Sequence, residues 1–587
     1  MTTLFLLDSV EAARTLMRSH GLRGDYRVLS TNYAVVGYLR ARGVACQDFS
    51  DFIDAAQGRG AIATASRQLQ DCLGRLDAGV GRRLCGEAGL PDVPIFHSLF
   101  KYPWEYVLSG LILFRQVLAG VLEGGAISKV HYFYEATLSD HPVFSCVDAA
   151  RALCKGRGVS FVATAYSRGA RELLKRARLL LVFAGVALRQ PSKLLRAVRE
   201  RFARPNERGL RLGEGARLAL VFEPVRQFGA ALQARGLQVF AVPRLGVRKV
   251  ADVPVRPAAE AAAKACESAR NWLRNGPRES GDETDVRVVE FLADRAVELL
   301  LPAIYISHVI RRHPIAVAAW SSPLVLEMAP NLVLDVLLVA GVTVLGRQHG
   351  SCYIDQDMGD KHFDSDFNRC THFLSFGATR EEFASCYGER PTRCAIVPAG
   401  RPAPAAEASA QPIDIAFPIL NCIPLSSFGR LEWDLVHRQR VTLQAIHARP
   451  DLSSIVKPML HFSEDDFSQM ETLRELRHSR IVRATWTDFL KLYRPRLVVI
   501  EMISTPLYEV LHLDVDIFVM LCDIAPISRA ALDALAKRVH IFATVEDMAA
   551  AIAAYDKAPL PRLRDDEFYR RYVNRGSFDS ALAAVGL

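Results

Sequence analysis

The chain has 587 residues, of which 50% are hydrophobic and 23% are charged, and its formal net charge at pH 7 is +9. This length is several times that of a usual domain and predicts at least two domains, while the apolar fraction excludes a mainly disordered protein. Residues 168–208 hold twelve Lys and Arg against three Glu, so the excess positive charge lies in this segment and does not indicate a nucleic-acid-binding protein.

The cysteines and the apolar runs indicate in which cellular compartment we expect the protein. Twelve cysteines without CxxC pairs favour free thiols in a reducing compartment over disulfides or structural zinc. Residues 1–8 have no basic region before a short apolar run, so we expect no secretory signal. The apolar runs 179–188 and 331–346 are short or interrupted, compared with the roughly 18 to 20 residues of a spanning helix. We expect a cytoplasmic protein with no membrane crossing.

Short β-rich runs alternate with helical stretches, which is typical of parallel sheets covered by helices and predicts an α/β fold. The strands predicted in the first part are 4–7, 27–31, 129–133, 160–163, 216–222, 238–242, 315–320 and 342–348. Helices are predicted at 35–42 and 226–235, each followed by a glycine stop. Segment 256–285, rich in Ala, Glu and Arg, is predicted to be a surface excursion.

Residues 401–412 interrupt this pattern, because Pro and Ala dominate there and the apolar residues follow neither the helical nor the strand spacing. We predict a linker at 403–412 between an N-terminal domain, 1–402, and a C-terminal domain, 413–587. The basic segment near 168–208 is predicted to be a helical insertion in the first domain. Beyond the linker the predicted strands are 413–417, 455–457, 497–501 and 517–521, and the predicted helices are 431–448, 467–478 and 506–511.

The most informative motif is Arg347-Gln348-His349-Gly350, which follows a β-branched strand. Ligands of open α/β sheets bind in loops after the carboxyl ends of strands, so we expect His349 to face such a crevice. A histidine there can take a proton from a hydroxyl nucleophile or donate to a phosphate, and Gly350 lets the backbone approach an anion closely. The alternative is a histidine that is hydrogen-bonded to backbone at a strand end.

A second motif, Ser504-Thr505-Pro506, follows the strand 497–501. Pro506 suits the first helical position, and Ser504 or Thr505 can cap the helix. Exposed amides and hydroxyls there suit a phosphate, and Glu509, one turn into the helix, can accept from ribose hydroxyls. The alternative is an ordinary capped helix with a solvated glutamate.

These two motifs resemble those of bacterial surface-polysaccharide glycosyltransferases of the two-Rossmann, or GT-B, type. The chain is most similar to the group with a Gln-His-Gly turn in the N-terminal half and a Ser/Thr-x-x-x-Glu helix start in the C-terminal half. That group includes Kdo transferases and teichoic-type glycerophosphotransferases. The resemblance covers the order of both domains and, in motif detail, about residues 340–547. It implies two Rossmann-like domains that face a cleft, with no metal and no further cofactor.

The resemblance also implies roles for individual residues. It assigns contacts with the acceptor or a phosphate to Arg347, Gln348 and Gly350. It assigns donor binding to Lys457, Ser504, Thr505 and Glu509. Lys457 matches a Lys-Pro pair of the family, although this chain continues with Met459-Leu460-His461 where many relatives have His-Pro or a charged pair.

Other segments compete with these motifs. Asp140-His141 lies in a loop after the strand 129–133 and can supply a carboxylate or imidazole to the same cleft. Asp364-Ser365-Asp366 matches the metal-binding Asp-x-Asp of a different glycosyltransferase fold, but the match is too short to predict a metal site. Neither a GxxxxGK[ST] loop nor a strand-borne GxGxxG is present, which argues against P-loop hydrolysis and dinucleotide redox chemistry.

The basic segment includes residues 192–204, where apolar residues share one helical face and Lys and Arg surround it. Such helices lie on anionic membrane surfaces, which suits a lipid-linked acceptor at the inner face of the cytoplasmic membrane. The alternative is a solvated helix that packs on its own domain.

The leading interpretation is a glycosyltransferase with a nucleotide-sugar donor and a saccharide or lipid-linked acceptor. The resemblance suggests CMP-Kdo or a related acidic sugar as donor, and surface polysaccharide as product. His349, or failing that Asp140, is the predicted catalytic base. Two alternatives stay open: a polyol-phosphate transferase, and a non-catalytic scaffold for envelope assembly.

Overall fold

The computed structural model describes residues 2–587 except 20–21, 23, 54, 125–126, 136–140, 167–216, 223–225, 243–249, 251, 276–282, 322–327, 351–365, 389–391, 402–409, 421–428, 459–468, 476–477, 522–525 and 557–559. Four features of the sequence analysis therefore lie outside the described residues: Asp140, the pair Asp364-Ser365, the basic segment 168–208 and linker residues 403–409.

Seventeen described strands form three sheets, and every pairing between them is parallel. The first sheet consists of β1 Thr2–Leu7, β2 Tyr26–Ser30, β3 Gln47–Asp48, β4 Ile127–Glu135 and β5 Ser160–Tyr166. The middle sheet consists of β6 Leu218–Phe222, β7 Gln238–Val242, β8 Ile315–Ser321, β9 Thr343–Arg347, β10 His372–Ser375 and β11 Ala395–Pro398. The third sheet consists of β12 Gln411–Ile419, β13 Ser454–Pro458, β14 Ser479–Ile481, β15 Tyr493–Ile500, β16 Asp516–Met520 and β17 His540–Phe542.

Helices connect the strands and cover the sheets. Their bounds are Val10–Ser19, Tyr33–Arg40, Ala55–Leu76, Arg82–Ala88, Ile95–Glu123, Cys146–Gly156, Arg226–Ala234, Val255–Asn275, Glu283–Arg312, Met328–Val339, Arg380–Tyr387, Gly429–His447, Met470–Glu475, Trp486–Leu492, Thr505–Val510, Arg529–Leu535, Val545–Ala554 and Phe578–Ala584. No single described helix is long and apolar enough to cross a membrane; the arms Ile95–Glu105 and Val107–Glu123 meet at 45° and satisfy length and composition only as a pair.

The strand orders identify the sheets as Rossmann-like. The third sheet runs β14-β13-β12-β15-β16-β17, which is the 3-2-1-4-5-6 order of dinucleotide-binding folds. The middle sheet runs β11-β10-β9-β8-β6-β7, and the first runs β3-β2-β1-β4-β5. The predicted α/β class with Rossmann-like parallel sheets is thus confirmed. The predicted first domain, 1–402, holds two such sheets instead of one, and its boundaries stay a prediction.

One local prediction is wrong. Segment 256–285 is not a surface excursion over its described part, because the helix Val255–Asn275 packs along the helix Glu283–Arg312. Fully buried alanines line the contact at Ala258, Ala262, Ala265 and Ala269. Their spacing puts them on one helical face, and their small side chains let the two helices approach closely. The charged residues on the opposite face dominated the composition and hid this stripe.

The end of the chain returns to the middle sheet. Ala581 and Leu582 join a core cluster with Leu345 of β9, and the ring of Phe578 meets that of Phe228 edge-on at 5.0 Å. Residues 571–587 therefore pack with the middle sheet, although they follow the third sheet in sequence.

Close backbone contact fixes this returning segment. A Cβ atom on Gly377 would lie 2.7 Å from the backbone oxygen of Arg571 and 2.9 Å from the backbone nitrogen of Val573. Beside it, Glu382 pairs with Arg571 at 3.2 Å and with Arg575 at 3.5 Å. Only glycine permits this approach.

We expect Gly377→Ala to lower the free energy of unfolding by roughly 1 to 3 kcal/mol, because the added methyl group must push two backbone segments apart. The matched control is Gly120→Ala, an exposed helical site with no atom within 4 Å of the added Cβ, where we expect no loss. Melting temperatures of both variants measure the difference. Equal melting of Gly377→Ala and the wild type would show that the segment docks loosely.

Candidate functional site

The two sequence motifs meet at the carboxyl edges of the middle and third sheets. The Gln-His-Gly turn follows β9, and the helix Thr505–Val510 follows β15 by four residues. A Cβ atom on Gly350 would lie 2.5 Å from Oγ1 of Thr505. The turn and the helix start, far apart in sequence, are thus in direct contact across the two sheets.

Within the turn, Gln348 and His349 differ in their surroundings. The Gln348 side chain is buried; its Nε2 donates to the Gly350 oxygen at 2.7 Å, and its Oε1 accepts from the Phe376 nitrogen at 2.8 Å. Its amide therefore shapes the turn and ties it to the loop after β10. His349 is exposed and accessible to a bound molecule.

Two arginines lie next to this turn, of which Arg347 is buried and Arg401 is partly buried. Arg347 is 8% exposed and its guanidinium carbon lies 5.2 Å from the ring centroid of Phe578. Arg401 follows β11; its side chain forms an ion pair with Glu509, and its guanidinium carbon lies 5.0 Å from the ring centroid of Phe376. Burial lowers the pKa of Arg347, and the positive charge of Arg401 lowers it further. Sequence reasoning missed Arg401, because it opens the segment whose composition indicates a linker.

The third basic group comes from the third sheet. Lys457, near the end of β13, is 8% exposed, and burial lowers the pKa of its amine while the charge of Glu509 opposes that shift. Burial raises the pKa of Glu509, and the charges of Arg401 and Lys457 oppose that rise. We call Arg347, Arg401 and Lys457 the basic cluster; the negative charge of Glu509 acts on Arg401 and on Lys457.

A cluster of this kind favours an anion, because buried charges are costly unless they are paired. An anion with two or more negative charges can bind more than one of these cations at once. The site lies where ligands of parallel α/β sheets bind, at the carboxyl ends of the strands.

The cap expected at Ser504 is not formed by its side chain. Ser504 occupies the N-cap position with an extended backbone but makes no side-chain capping bond, and Pro506 is the second helical residue. The reason is local: Pro506 has no N–H, and the Leu507 N–H donates to the backbone oxygen of Ser504 at 2.9 Å. The Ser504 hydroxyl therefore does not serve as the cap.

Glu501 is a second residue that sequence reasoning missed. It follows β15 at the point where the strand order of the third sheet reverses, between β12 and β15. Its side chain is fully buried, its Oε1 accepts from the Leu420 nitrogen at 2.6 Å, and Gln439 Nε2 donates to the Leu420 oxygen at 2.9 Å. Burial raises the pKa of Glu501 to about 8. A glutamate directly after four apolar strand residues was the available signal, and it was assigned to the strand.

Of the competing pair Asp140-His141, the structure describes only His141. Asp140 lies outside the described residues and keeps the status of a prediction. The His141 Nδ1 accepts from the backbone nitrogens of Val143 and Phe144 at 3.2 Å, and its ring meets Trp104 edge-on at 5.6 Å. Burial lowers its pKa to about 4. His141 is thus a half-buried histidine that holds the backbone of residues 143–144.

No group of three or more His, Cys, Asp or Glu side chains is arranged to hold a metal ion within the part of the chain that the structure describes.

Comparisons with known proteins give low similarities. No family model matches the chain, and no curated protein matches it. Among solved structures, 63% of this chain aligns with 100% of the spinosyn rhamnosyltransferase SpnG bound to spinosyn aglycone, at 10% identity and a TM-score of 0.30. MurG from Acinetobacter baumannii aligns over 98% of its length with 63% of this chain, at 11% identity and a TM-score of 0.30. The glycosyltransferase VinC bound to dTDP aligns over 98% of its length with the same share, at 11% identity and a TM-score of 0.31.

The buried Glu501 predicts a pH dependence of stability. Its pKa rises from an ordinary value of 4.5 to about 8 in the folded protein, so between these values the folded state holds one more proton than the unfolded state. Its contribution to stability is complete below the unfolded pKa and is lost as the pH rises through the folded pKa, by at most about 1.4 kcal/mol per pH unit. We expect Glu501→Gln to flatten the decline of melting temperature between about pH 5 and pH 8. A variant that declines as steeply as the wild type would contradict a neutral Glu501.

The contact between Gly350 and Thr505 predicts a coupling. We expect Gly350→Ala to destabilise the protein because its Cβ would collide with the Thr505 hydroxyl, and Thr505→Ala to relieve part of that loss. A double-mutant cycle on the free energies of unfolding should give a coupling energy between Gly350→Ala and Thr505→Ala of roughly 0.5 to 3 kcal/mol. Additive effects would mean that the two motifs do not touch.

Proposed function

We propose that the protein is a GT-B-type glycosyltransferase that moves a sugar from a nucleotide-activated donor to a saccharide acceptor in bacterial surface polysaccharide synthesis. One observation carries the proposal: the basic cluster, of which Arg347 and Lys457 are buried and Arg401 is partly buried, lies at the carboxyl edges of two Rossmann-like sheets, beside an exposed histidine. Such a cluster suits the diphosphate or monophosphate that links a nucleotide to its sugar. The motif resemblance supports CMP-Kdo or a related acidic sugar as donor.

The chemistry divides between the two sides of the cleft. Arg347, Arg401 and Lys457 would stabilise the negative charge that builds on the leaving phosphate, because buried and fixed cations act strongly on developing charge. His349 would take the proton from the acceptor hydroxyl as it attacks the anomeric carbon. Gln348 would keep the turn in position, since both ends of its amide are bonded to backbone.

The cellular setting belongs to the same proposal. A saccharide or lipid-linked acceptor at the inner face of the cytoplasmic membrane would suit the basic segment 168–208, whose apolar and basic pattern is typical of a membrane-surface helix.

A thermal-shift screen against CMP, CDP, UDP, GDP and their sugars tests the proposal, because a ligand that binds only the native state stabilises it by RT ln(1 + [L]/Kd). We expect one nucleotide family to raise the melting temperature and its sugar to be transferred. The mass of the product distinguishes a sugar from a polyol phosphate. Binding without turnover would favour a scaffold, and no binding would contradict the proposal.

We expect His349→Ala to lower kcat about a hundredfold or more while melting temperature and donor affinity stay nearly constant, because the side chain is exposed. Turnover and melting are measured on one preparation, with Asp140→Asn beside it. If His349→Ala turns over normally and Asp140→Asn does not, the base lies in the Asp140 loop.

A further inference from the structure

We propose that Glu509 is an internal competitor of the donor: its carboxylate and the diphosphate of a nucleotide bind the same guanidinium, that of Arg401, so an incoming diphosphate must displace Glu509. The inference rests on the proposed function in taking the anion to be a nucleotide diphosphate. It reassigns Glu509 from a contact with ribose to a group that sets the affinity and selectivity of the phosphate site.

The position of Arg401 is fixed independently of Glu509. Its backbone nitrogen donates to the Val573 oxygen at 3.1 Å, and its guanidinium lies over the ring of Phe376. The preceding Gly400 has a positive φ of 65°, and a Cβ atom there would lie 2.7 Å from the Gly576 oxygen. The middle sheet and the returning C-terminal segment thus hold Arg401, whereas Glu509 lies on the helix Thr505–Val510, which follows β15 of the third sheet.

The pair leaves hydrogen-bonding capacity unused on both partners. Glu509 binds Arg401 through Oε1, while its buried Oε2 makes no hydrogen bond to Arg401; a hydrogen bond with the Thr487 side chain lowers the pKa of Glu509. The Nη1 atom of Arg401 is also buried without a partner among the described residues. A guanidinium offers five donors in a planar fork that suits phosphate oxygens, so a diphosphate can use donors that this carboxylate does not.

The surrounding charges favour the exchange. Lys457 lies within electrostatic reach of Glu509, and Arg347 within reach of Arg401, so a diphosphate at Arg401 would meet two further cations. A displaced Glu509 would stay near that anion and repel it.

The test is the binding of inorganic pyrophosphate, measured by calorimetry at constant ionic strength without divalent metal. We expect Glu509→Gln, which keeps the size of the side chain and removes its charge, to bind pyrophosphate about tenfold or more tightly than the wild type. The matched control is Glu382→Gln, which removes another buried carboxylate that pairs with arginines, Arg571 and Arg575, outside the basic cluster. We expect that control to bind as the wild type does.

Adding Arg401→Gln to Glu509→Gln should abolish the gain. Unchanged or weaker binding by Glu509→Gln would overturn the inference, and so would a gain that persists without Arg401 or that Glu382→Gln reproduces. If Glu509→Gln fails to fold, as judged by its melting curve, Glu509→Asp replaces it. Its shorter carboxylate is drawn back from Arg401, and we expect tighter pyrophosphate binding, with equal or weaker binding as the contrary result.

The same measurements separate this inference from the proposed function. If the wild type transfers a sugar but Glu509→Gln gains no affinity for pyrophosphate, only the competition is wrong. If Glu509→Gln gains affinity but no nucleotide or nucleotide sugar binds the wild type, the anion site stands and the transferase function is wrong. Cytidine, which has no phosphate, should gain nothing from Glu509→Gln, and an equal gain for cytidine would contradict competition at the phosphate.

Discussion

The ion pair between the partly buried Arg401 and the buried Glu509 is the constraint on which the site depends, because it joins the middle sheet to the third. Burying two charges is costly, and a well-packed apolar pair of the same size would often be at least as stable. An ion pair differs in being directional and in being exchangeable for another anion. Near this ion pair, the Gln-His-Gly turn approaches the helix Thr505–Val510 so closely that there is no room for a side chain at position 350.

The first sheet adds a second support to the third sheet. Its helix Tyr33–Arg40 contacts the helix Met470–Glu475, and the helix Ala55–Leu76 contacts the helix Gly429–His447. The third sheet is therefore held from two directions, by the first sheet and by the middle sheet with the returning segment 571–587. Closure of the cleft by rigid rotation would have to break one of these contacts. Local exchange of ion pairs fits this architecture better than a large hinge motion.

The sequence predicted the parts of the site that follow apolar strands. Residues 343–345 of β9 and 497–500 of β15 are β-branched or aliphatic, so the carboxyl ends of both strands, and with them His349 and Thr505, were located closely. Arg401 could not be found in this way, since its partner is distant in the chain and its neighbours read as a linker. β10 and β11 were also missed, because each has four residues and their pairing with β9 and with each other defines them more than composition does.

The three residues of the Gln-His-Gly turn have different functions in the structure. Gln348 is buried and fully engaged with backbone, Gly350 provides space for Thr505, and His349 alone presents an accessible side chain. Two of the three residues therefore serve geometry. Arg347 and Lys457 are buried, whereas His349 is exposed. In the proposed mechanism, leaving-group stabilisation and acceptor activation would therefore be carried by separate residues, so a substitution that disturbs one need not disturb the other.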